Sequence, residues 1–421
     1  MRAPPSQSIW LVVFVLGSGS AAAQNILVNS GFATSLAGWT VESGVSAGWS
    51  PLDIAGSAAS GSALVTNSSG VAGFSGGLTQ CVAVVSGVTY AFRVRFFVPS
   101  GQASTARVQG TLDYFPDPSC GGGTAGGFGN GTGAITSDFP AWNDFVIGTG
   151  GIPSGAASAL VGVRLVKVAA GGIVQAYFDE PSLAPVATLT IPASASIHGQ
   201  NGTFFQTDLW VLGSSSLFVA TVTARHRCFA SQICAATSQS FQVVPRQSVY
   251  FTDALVTLFG DPGTAGAIEL SYDTSAPITV LSRTYSPSLP APTTGTSVPA
   301  LTSNDALTRA VLVGLGSSGG DLSQGFRSNV GVYNPGSSAV SVTVTLHGSS
   351  GTALGAPVPL TLTANEARQV NDIFSAAGAS STLTRNAYAV VTSSAAVFSY
   401  ATVIDNQSAD SVFMAAAEDG P

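Results

Sequence analysis

The chain has 421 residues, of which 8% are charged, and its formal net charge is −7. Lys167 is its only lysine, and no cluster of basic residues occurs. Proteins that bind nucleic acid neutralise phosphates with clustered Lys and Arg, so this composition excludes nucleic acid as a partner. No run of eighteen apolar residues is present, so no transmembrane segment is expected.

The first 23 residues have the pattern of a secretory signal peptide. Arg2 precedes a short apolar run at residues 9–16, and small residues follow up to Ala23. The apolar run is too short to span a bilayer, and the small residues fit a cleavage site. We therefore predict a signal peptide over residues 1–23 and a secreted protein, periplasmic or extracellular.

The four cysteines form two local pairs, Cys81 with Cys120 and Cys228 with Cys234. The sequence alone allows three pairings, and an even count in an exported chain favours disulfides. Locality favours these two pairs. The stretch CFASQIC also allows a metal site, but a zinc tetrad needs more Cys or His nearby than His226 supplies. We therefore predict two disulfides.

Apolar and polar residues alternate with a period of two in the front third of the chain. Examples are TYAFRVRFFV (residues 89–98), TARVQGTLDYF (105–115) and ASALVGVRLVKV (157–168). Such alternation, with Gly, Ser, Pro and Asn between the runs, is typical of half-buried antiparallel strands. Amphipathic helices are scarce. The predicted fold class is all-β.

An internal repeat occupies the rest of the chain. FFQTDLWVLGSSSLFVATVTA (204–224) matches GFRSNVGVYNPGSSAVSVTVTL (325–346), and the match continues until Asp253 aligns with Asp372. We predict a front domain over residues 24–186 and two related β-sandwiches over 187–290 and 291–415. For the two aligned aspartates, a helix N-cap or turn is the first interpretation, and a cation site is the alternative.

Three stretches carry a resemblance to a known family: NILVNSGFATSLAGWT (25–40), LTQCVAVVSGVTYAFRVRFFV (78–98) and VQAYFDEPSL (174–183). Residues 25–184 resemble the jelly-roll carbohydrate-binding modules of secreted bacterial glycosidases, of the cellulose- and xylan-binding, galactose-binding-like type. The resemblance implies a jelly-roll sandwich and a polysaccharide or cell-surface glycan as partner. The two rear modules resemble exported bacterial β-sandwich repeats with no assigned function.

The family turn places a Glu after Gly-Phe, where it often serves a structural calcium ion together with an acidic residue of the closing strand. Here that position is Ala33, while Asp179 and Glu180 remain. Calcium needs six to eight oxygen ligands. Two interpretations stay open: Asp179 is a calcium ligand, or it only binds nearby backbone. No other cofactor is expected.

The alternation also predicts one polar sheet face opposite the core. Sugar sites combine a flat aromatic ring with fixed polar groups, and Arg binds carboxylates in a bidentate manner. An ordinary solvated face is the competing interpretation, and Trp39 and Trp142 are expected in the core. The candidate carbohydrate-binding residues are Trp49, Arg93, Arg95, Arg107, Gln109, Asp113 and Phe115.

No catalytic motif has the required context. The three histidines lie far apart in the sequence, and a GxSxG match at residues 316–320 lacks the strand–turn–helix setting of a nucleophile elbow. We therefore predict a secreted, non-catalytic protein that binds polysaccharide through its front domain. The alternative is a cell-surface structural or adhesion protein that acts through the tandem rear modules.

Overall fold

The computed structural model describes residues 25–57, 59–131, 139–148, 152–199, 202–215, 217–235, 238–287 and 294–419. The predicted signal peptide lies outside these ranges. Almost every regular element is a strand, and the two α-helices of the described residues are single turns. No helix in the described part of the chain is long and apolar enough to cross a membrane. The all-β prediction is confirmed.

The front of the chain is a sandwich of two antiparallel sheets. The first sheet has the order β1-β4-β9-β6-β7, and β2, β3, β10, β5 and β8 pair in that order to form the second. The strands are β1 (Thr40–Val41), β2 (Ser46–Ser50), β3 (Ser62–Asn67), β4 (Ser75–Ala83), β5 (Tyr90–Val98), β6 (Ala106–Phe115), β7 (Gly126–Gly131), β8 (Phe139–Gly148), β9 (Ser158–Lys167) and β10 (Val174–His198).

The core of this sandwich follows from the alternation in the sequence. Phe92 and Val94 of β5 face Val108 and Leu112 of β6 across the interior, and all four are fully buried. The aromatic anchor Phe32 of the first turn is also fully buried and lies 5.7 Å from Trp39, ring centre to ring centre. Burial of such side chains supplies the main stabilising free energy of a sandwich.

Strand β10 continues without a break into the second module. Its first half pairs with β3 and β5, and residues 186–198 pair with strands of the next sandwich. That sandwich contains β11 (Phe204–Gly213), β12 (Ala220–Cys228), β13 (Gln239–Val243), β14 (Ser248–Phe251), α1 (Ala254–Thr257), β15 (Thr264–Asp273), β16 (Ile278–Ser286) and β17 (Thr294–Val298). Strand β17 pairs with β16, so this segment belongs to the second module although it follows residue 290.

The third module repeats the same arrangement. A 3-10 helix (Ser303–Asp305) precedes its strands. The long strand β23 corresponds to both β15 and β16 of the second module, because its first half pairs in one sheet and its second half in the other. The elements are β18 (Leu307–Ser318), β19 (Phe326–Tyr333), β20 (Val340–His347), β21 (Val358–Leu362), β22 (Ala367–Val370), α2 (Ile373–Ala376), β23 (Leu383–Asp405), β24 (Ser411–Ala415) and β25 (Ala417–Glu418).

One hydrogen bond recurs at equivalent positions of the two repeats. The N–H of Asp253 donates to Asp208 Oδ1 (2.9 Å), and the N–H of Asp372 donates to Asn329 Oδ1 (3.0 Å). Both aspartates have left-handed backbones, with φ of 41° and 49°, and each precedes a one-turn helix. Asp372 also accepts from the N–H of Ser375 and so caps its helix. The turn interpretation is therefore confirmed, and the repeat is a shared fold feature.

Candidate functional site

The single polar face expected from the sequence is divided between the two sides of the front sandwich. Strands β5 and β6 follow each other in the chain but lie in opposite sheets. Their outward side chains therefore point in opposite directions, so Arg93 and Arg95 cannot share a face with Arg107, Gln109 and Asp113. This part of the prediction is wrong. Its physical cause is that this sandwich places the successive strands β5 and β6 in different sheets, while the period-two pattern reports only which side chains face inward and which outward.

Arg93 and Arg95 lie against the second module. Arg93 Nε is 2.9 Å from Asp273 Oδ2, and its Nη1 donates to the carbonyl oxygen of Val219 (2.9 Å). The Phe218 ring lies 5.2 Å from the Arg93 guanidinium carbon and 5.3 Å from that of Arg95, which are cation–π distances. Arg93 is 2% exposed.

Arg95 is occupied in the same contact. Its guanidinium donates to the carbonyl oxygen of Leu217 and forms an ion pair with Asp144. The pKa of Asp144 is nevertheless raised, because burial outweighs the charge of Arg95. Both arginines therefore hold two modules together, and neither presents a free guanidinium to a ligand.

The other sequence candidates are scattered. Arg107, Gln109 and Asp113 line the outward side of β6, where Gln109 accepts from the hydroxyl of Ser75 (3.2 Å). Phe115 ends the same side of β6 but is only 7% exposed, so its ring is not accessible to a ligand. Because Phe115 is buried, the described outward side chains of β6 include no exposed ring on which a sugar could stack.

Trp49 is accessible, as expected, with 41% of its surface exposed. Its Nε1–H donates to the carbonyl oxygen of Phe32 (2.7 Å), so its polar edge is bound to the first turn. Trp49 therefore serves to fasten the N-terminal turn to the edge strand β2.

A cluster of three aromatic rings, none of them among the sequence candidates, lies on the outward side of the second sheet. Phe97 lies 5.9 Å from Trp142 and 5.8 Å from Tyr177, ring centre to ring centre, and all three rings are half-buried on the outward side of β5, β8 and β10. Trp142 was expected in the core. The signal was present, because Phe97 continues the outward series of Arg93 and Arg95.

Fixed polar groups lie beside this cluster. The amide of Gln175, two residues before Tyr177 on the same face of β10, donates to Thr66 Oγ1 (3.0 Å). Gln102 in turn donates to the carbonyl oxygens of Pro99 and Gln175 (3.0 and 2.8 Å). Neighbouring aromatic surface and oriented amides can bind the C–H faces and the hydroxyl groups of a sugar at the same time.

A carboxylate cluster lies where the family resemblance implies calcium. Asp179 is fully buried, and burial together with the nearby charges of Glu180 and Asp53 raises its pKa to about 7. Its two oxygens accept from the N–H groups of Ile54 (3.1 Å) and Glu180 (2.8 Å).

Asp53 is similarly engaged with Ser57 and Ser60. Carboxylate oxygens suit a hard cation in type, but these three carboxylates supply at most six oxygens, and four of them already accept hydrogen bonds. The backbone-binding interpretation of Asp179 therefore matches the observed contacts, and a calcium ion at Asp179 stays a prediction.

The disulfides Cys81–Cys120 and Cys228–Cys234 are both present, as predicted. Beside the second one, His226 Nδ1 lies 2.8 Å from Asp261 Oδ2 in the buried interior. Burial lowers the pKa of His226 and so favours the neutral ring. Because the sulfur of Cys234 is bonded to Cys228, this cluster offers a metal no thiolate. Disulfides are consistent with an oxidising compartment.

A cleft of about 850 Å³ lies between the second and third modules. Several of its polar side chains are engaged in hydrogen bonds within the third module. Gln369 accepts from the hydroxyl of Tyr400 (3.0 Å) and donates to Asn371 (2.7 Å), and Arg327 donates to Asn406 (2.6 Å). We interpret this cleft as part of the joint between two modules.

Comparison with known proteins gives no family assignment: no protein-family model matches the chain, and no curated protein matches it. Several solved structures overlap parts of it, and three of them are described here. The N-terminal CBM22-1–CBM22-2 tandem domain of Xyn10C from Paenibacillus barcinonensis shares 12% identity with a TM-score of 0.29, covering 62% of this chain and 97% of that one.

The arabinose-bound α-L-arabinofuranosidase MgGH51 shares 18% identity with a TM-score of 0.30, covering 39% of this chain and 27% of that one. The enzymatically active domain of bacteriophage CBA120 tailspike protein 4 shares 15% identity with a TM-score of 0.29, and the match covers 38% of this chain and 21% of that one. The chain therefore spans only a minor part of either enzyme. At these TM-scores, none of the three overlaps supports a function for this chain.

Proposed function

We propose that the front sandwich binds a neutral polysaccharide on the Phe97–Trp142–Tyr177 cluster. The observation that supports this proposal is the presence of three neighbouring, partly accessible aromatic rings on an outward sheet face, next to the oriented amide of Gln175. The ligand class is neutral because Arg93 and Arg95 are used in contacts with the second module. The role is binding without turnover, in an exported protein.

The second module borders the Phe97–Trp142–Tyr177 cluster. It covers the part of the outward face of β5 that carries Arg93 and Arg95. A bound glycan would therefore approach from the Phe97 end of this face, across β8 and β10. A polysaccharide chain would therefore lie across the strands beside the junction.

The proposal predicts that Trp142→Ala lowers the affinity of the whole chain for its preferred polysaccharide about tenfold or more. Loss of one stacking ring removes at least about 1.4 kcal/mol of binding free energy, which is a factor of ten. Isothermal titration against a panel of soluble glucans, xylans and mannans measures it. Assay of reducing ends in the same mixtures should stay at the blank level.

Trp49→Ala is the matched control, because Trp49 is accessible yet lies away from the cluster at the edge strand β2. We expect this variant to keep the wild-type affinity. Loss of binding in Trp49→Ala with retention in Trp142→Ala would contradict the assignment of binding to the Phe97–Trp142–Tyr177 cluster. Failure of the unaltered chain to bind any polysaccharide would remove the proposal altogether.

A further inference from the structure

The second and third modules meet through one sheet face of the third. Six outward positions of β19, β22 and β23 form this docking face: Gly331, Tyr333, Ala367, Gln369, Phe398 and Tyr400. Tyr333 and Phe398 pack against Ala267 of the second module, and the hydroxyl of Tyr333 donates to Glu269 (2.5 Å). Tyr333, Phe398 and Tyr400 are at most 2% exposed.

The second module has the same six positions on β11, β14 and β16. In the second module, Trp210 lies between Tyr250 and Leu281 on the neighbouring strands. In the third module, Gly331 lies in the same way between Gln369 and Tyr400. The same registers make Leu212 the equivalent of Tyr333. The docking face of the second module is therefore Trp210, Leu212, Ser248, Tyr250, Thr279 and Leu281.

This equivalent face has no module on it within the described chain. Tyr250 is 50% exposed, Leu281 54% and Leu212 40%, and the Trp210 and Tyr250 rings stack at 4.8 Å. None of the six residues is charged. A contiguous aromatic and apolar patch on an exposed sheet face marks an interaction surface.

The contact between modules two and three shows which kind of surface a docking face binds. The third module's docking face rests on the outward side of β12 and β15, which carry Arg227, Ala267 and Glu269. The equivalent receiving face of the third module lies on β18, β20 and β23, where His347, Tyr388 and Val313 form one cross-strand row and Thr345, Val390 and Val311 the next. Val313 is 59% exposed, and no module covers this row in the described residues.

We propose that the docking face of the second module binds the receiving face of the third module in a second copy of the chain. Copies would then join head to tail, by the contact that already joins modules two and three. Such a heterologous contact leaves one free face at each end of the assembly, so it propagates into rings or filaments. This proposal is independent of sugar binding and gives the tandem modules a structural role.

The free faces complement each other in size and polarity. Inside the chain, small Ala267 meets large Tyr333 and Phe398. In the free receiving face, the large Tyr388 takes the position of Ala267. In the free docking face, the smaller Leu212 and Thr279 take the positions of Tyr333 and Phe398. The large side chains would therefore come from the receiving face instead of the docking face. The polar pair of Glu269 and Tyr333 is likewise replaced by an apolar pair, Val390 and Leu212. Each change in size or polarity on the docking face is therefore matched by a change on the receiving face.

Analytical ultracentrifugation of the whole chain, alone and in mixtures, tests the proposal. The wild-type mass should rise with protein concentration beyond that of one chain. Leu281→Asp and Val313→Asp, each at an exposed position on one free face, should both remain monomeric. An equimolar mixture of the two variants should give a dimer and stop there, because each variant keeps one intact and complementary face.

Ile233→Asp is the matched control, because Ile233 is 97% exposed in the Cys228–Cys234 loop and belongs to neither face. It should associate like the wild type. A wild-type chain that is monomeric at every concentration would overturn the proposal. So would a mixture of Leu281→Asp and Val313→Asp that stays monomeric, since that result would show that the two faces do not bind each other.

Discussion

Replacement of Arg93 by Ala should destabilise the chain by about 3 kcal/mol or more, because it leaves the carboxylate of Asp273 buried without its cationic partner. Asp273 is 7% exposed, and the carbonyl oxygen of Val219 loses its donor in the same change. Asp273 keeps its two hydrogen bonds from Ser275, so the loss is smaller than for a fully orphaned charge.

The location of this pair predicts a second effect. Arg93 belongs to the front sandwich and Asp273 to the second module, so the variant weakens the contact that joins them. We expect the front sandwich and the second module to unfold in separate steps in Arg93→Ala, whereas they unfold together in the wild type. Calorimetry and denaturant titration followed by fluorescence measure both the midpoint and the number of steps.

Two comparisons make the result specific. Arg107→Ala removes an outward arginine of β6 and should change stability by less than about 0.5 kcal/mol. In the background of Asp273→Ala, the further change Arg93→Ala should cost much less than in the wild type, since contacting residues are not additive. Equal costs in both backgrounds would contradict a coupled pair.

The sequence predicts the fold well because strands carry their signal locally. Each alternating run in the front third became a strand whose apolar side faces the core, and Phe92 and Val108 are examples. The internal repeat is also predictable from the sequence, because Asp253 and Asp372 occupy the same turn in both modules. The disulfides are predictable because the four cysteines fall into two local pairs along the chain.

The candidate site is less predictable because it depends on which strands become neighbours. Arg93 and Arg107 both alternate outward, but only the sheet order shows that they face opposite sides. Burial of Arg93 depends on a loop more than a hundred residues away, and no local pattern reports such a contact. Phe97 and Trp142 are likewise brought together by pairing of β5 with β8.

Replacement of Asp179 by Asn should make the chain more stable at alkaline pH and change its pH dependence. The pKa of Asp179 is raised from 3.8 to about 7 in the folded state, mainly by burial. Below about pH 4 the carboxyl is protonated in both the folded and the unfolded chain. Between pH 4 and 7 only the unfolded chain ionises, so the wild type loses stability as the pH rises.

The expected size of this effect is on the order of 4 kcal/mol, since each pKa unit corresponds to about 1.36 kcal/mol. The difference in unfolding free energy between Asp179→Asn and the wild type should therefore grow from pH 4 to pH 7 in favour of the variant and then level off. A roughly constant offset of about 1 kcal/mol against the variant is expected, because the amide accepts only one of the two backbone N–H bonds.

Asp117→Asn is a control of opposite sign. Hydrogen bonds from Ser119 lower the pKa of Asp117, so the wild type should gain stability over this variant as the pH rises through the acid range. Urea titrations at a series of pH values in EDTA measure both differences. A flat difference curve for Asp179→Asn would contradict a buried, proton-binding carboxyl.

The same titrations decide the calcium interpretation. A cation bound by Asp179, Glu180 and Asp53 would compensate their charges, so added Ca²⁺ should restore at pH 7 and above the stability that the wild type loses between pH 4 and pH 7. Asp179→Asn should show a much weaker response to Ca²⁺. If Ca²⁺ leaves both unfolding curves unchanged, Asp179 acts through its hydrogen bonds to Ile54 and Glu180 alone. In that case Asp179 has a structural role that needs no cation.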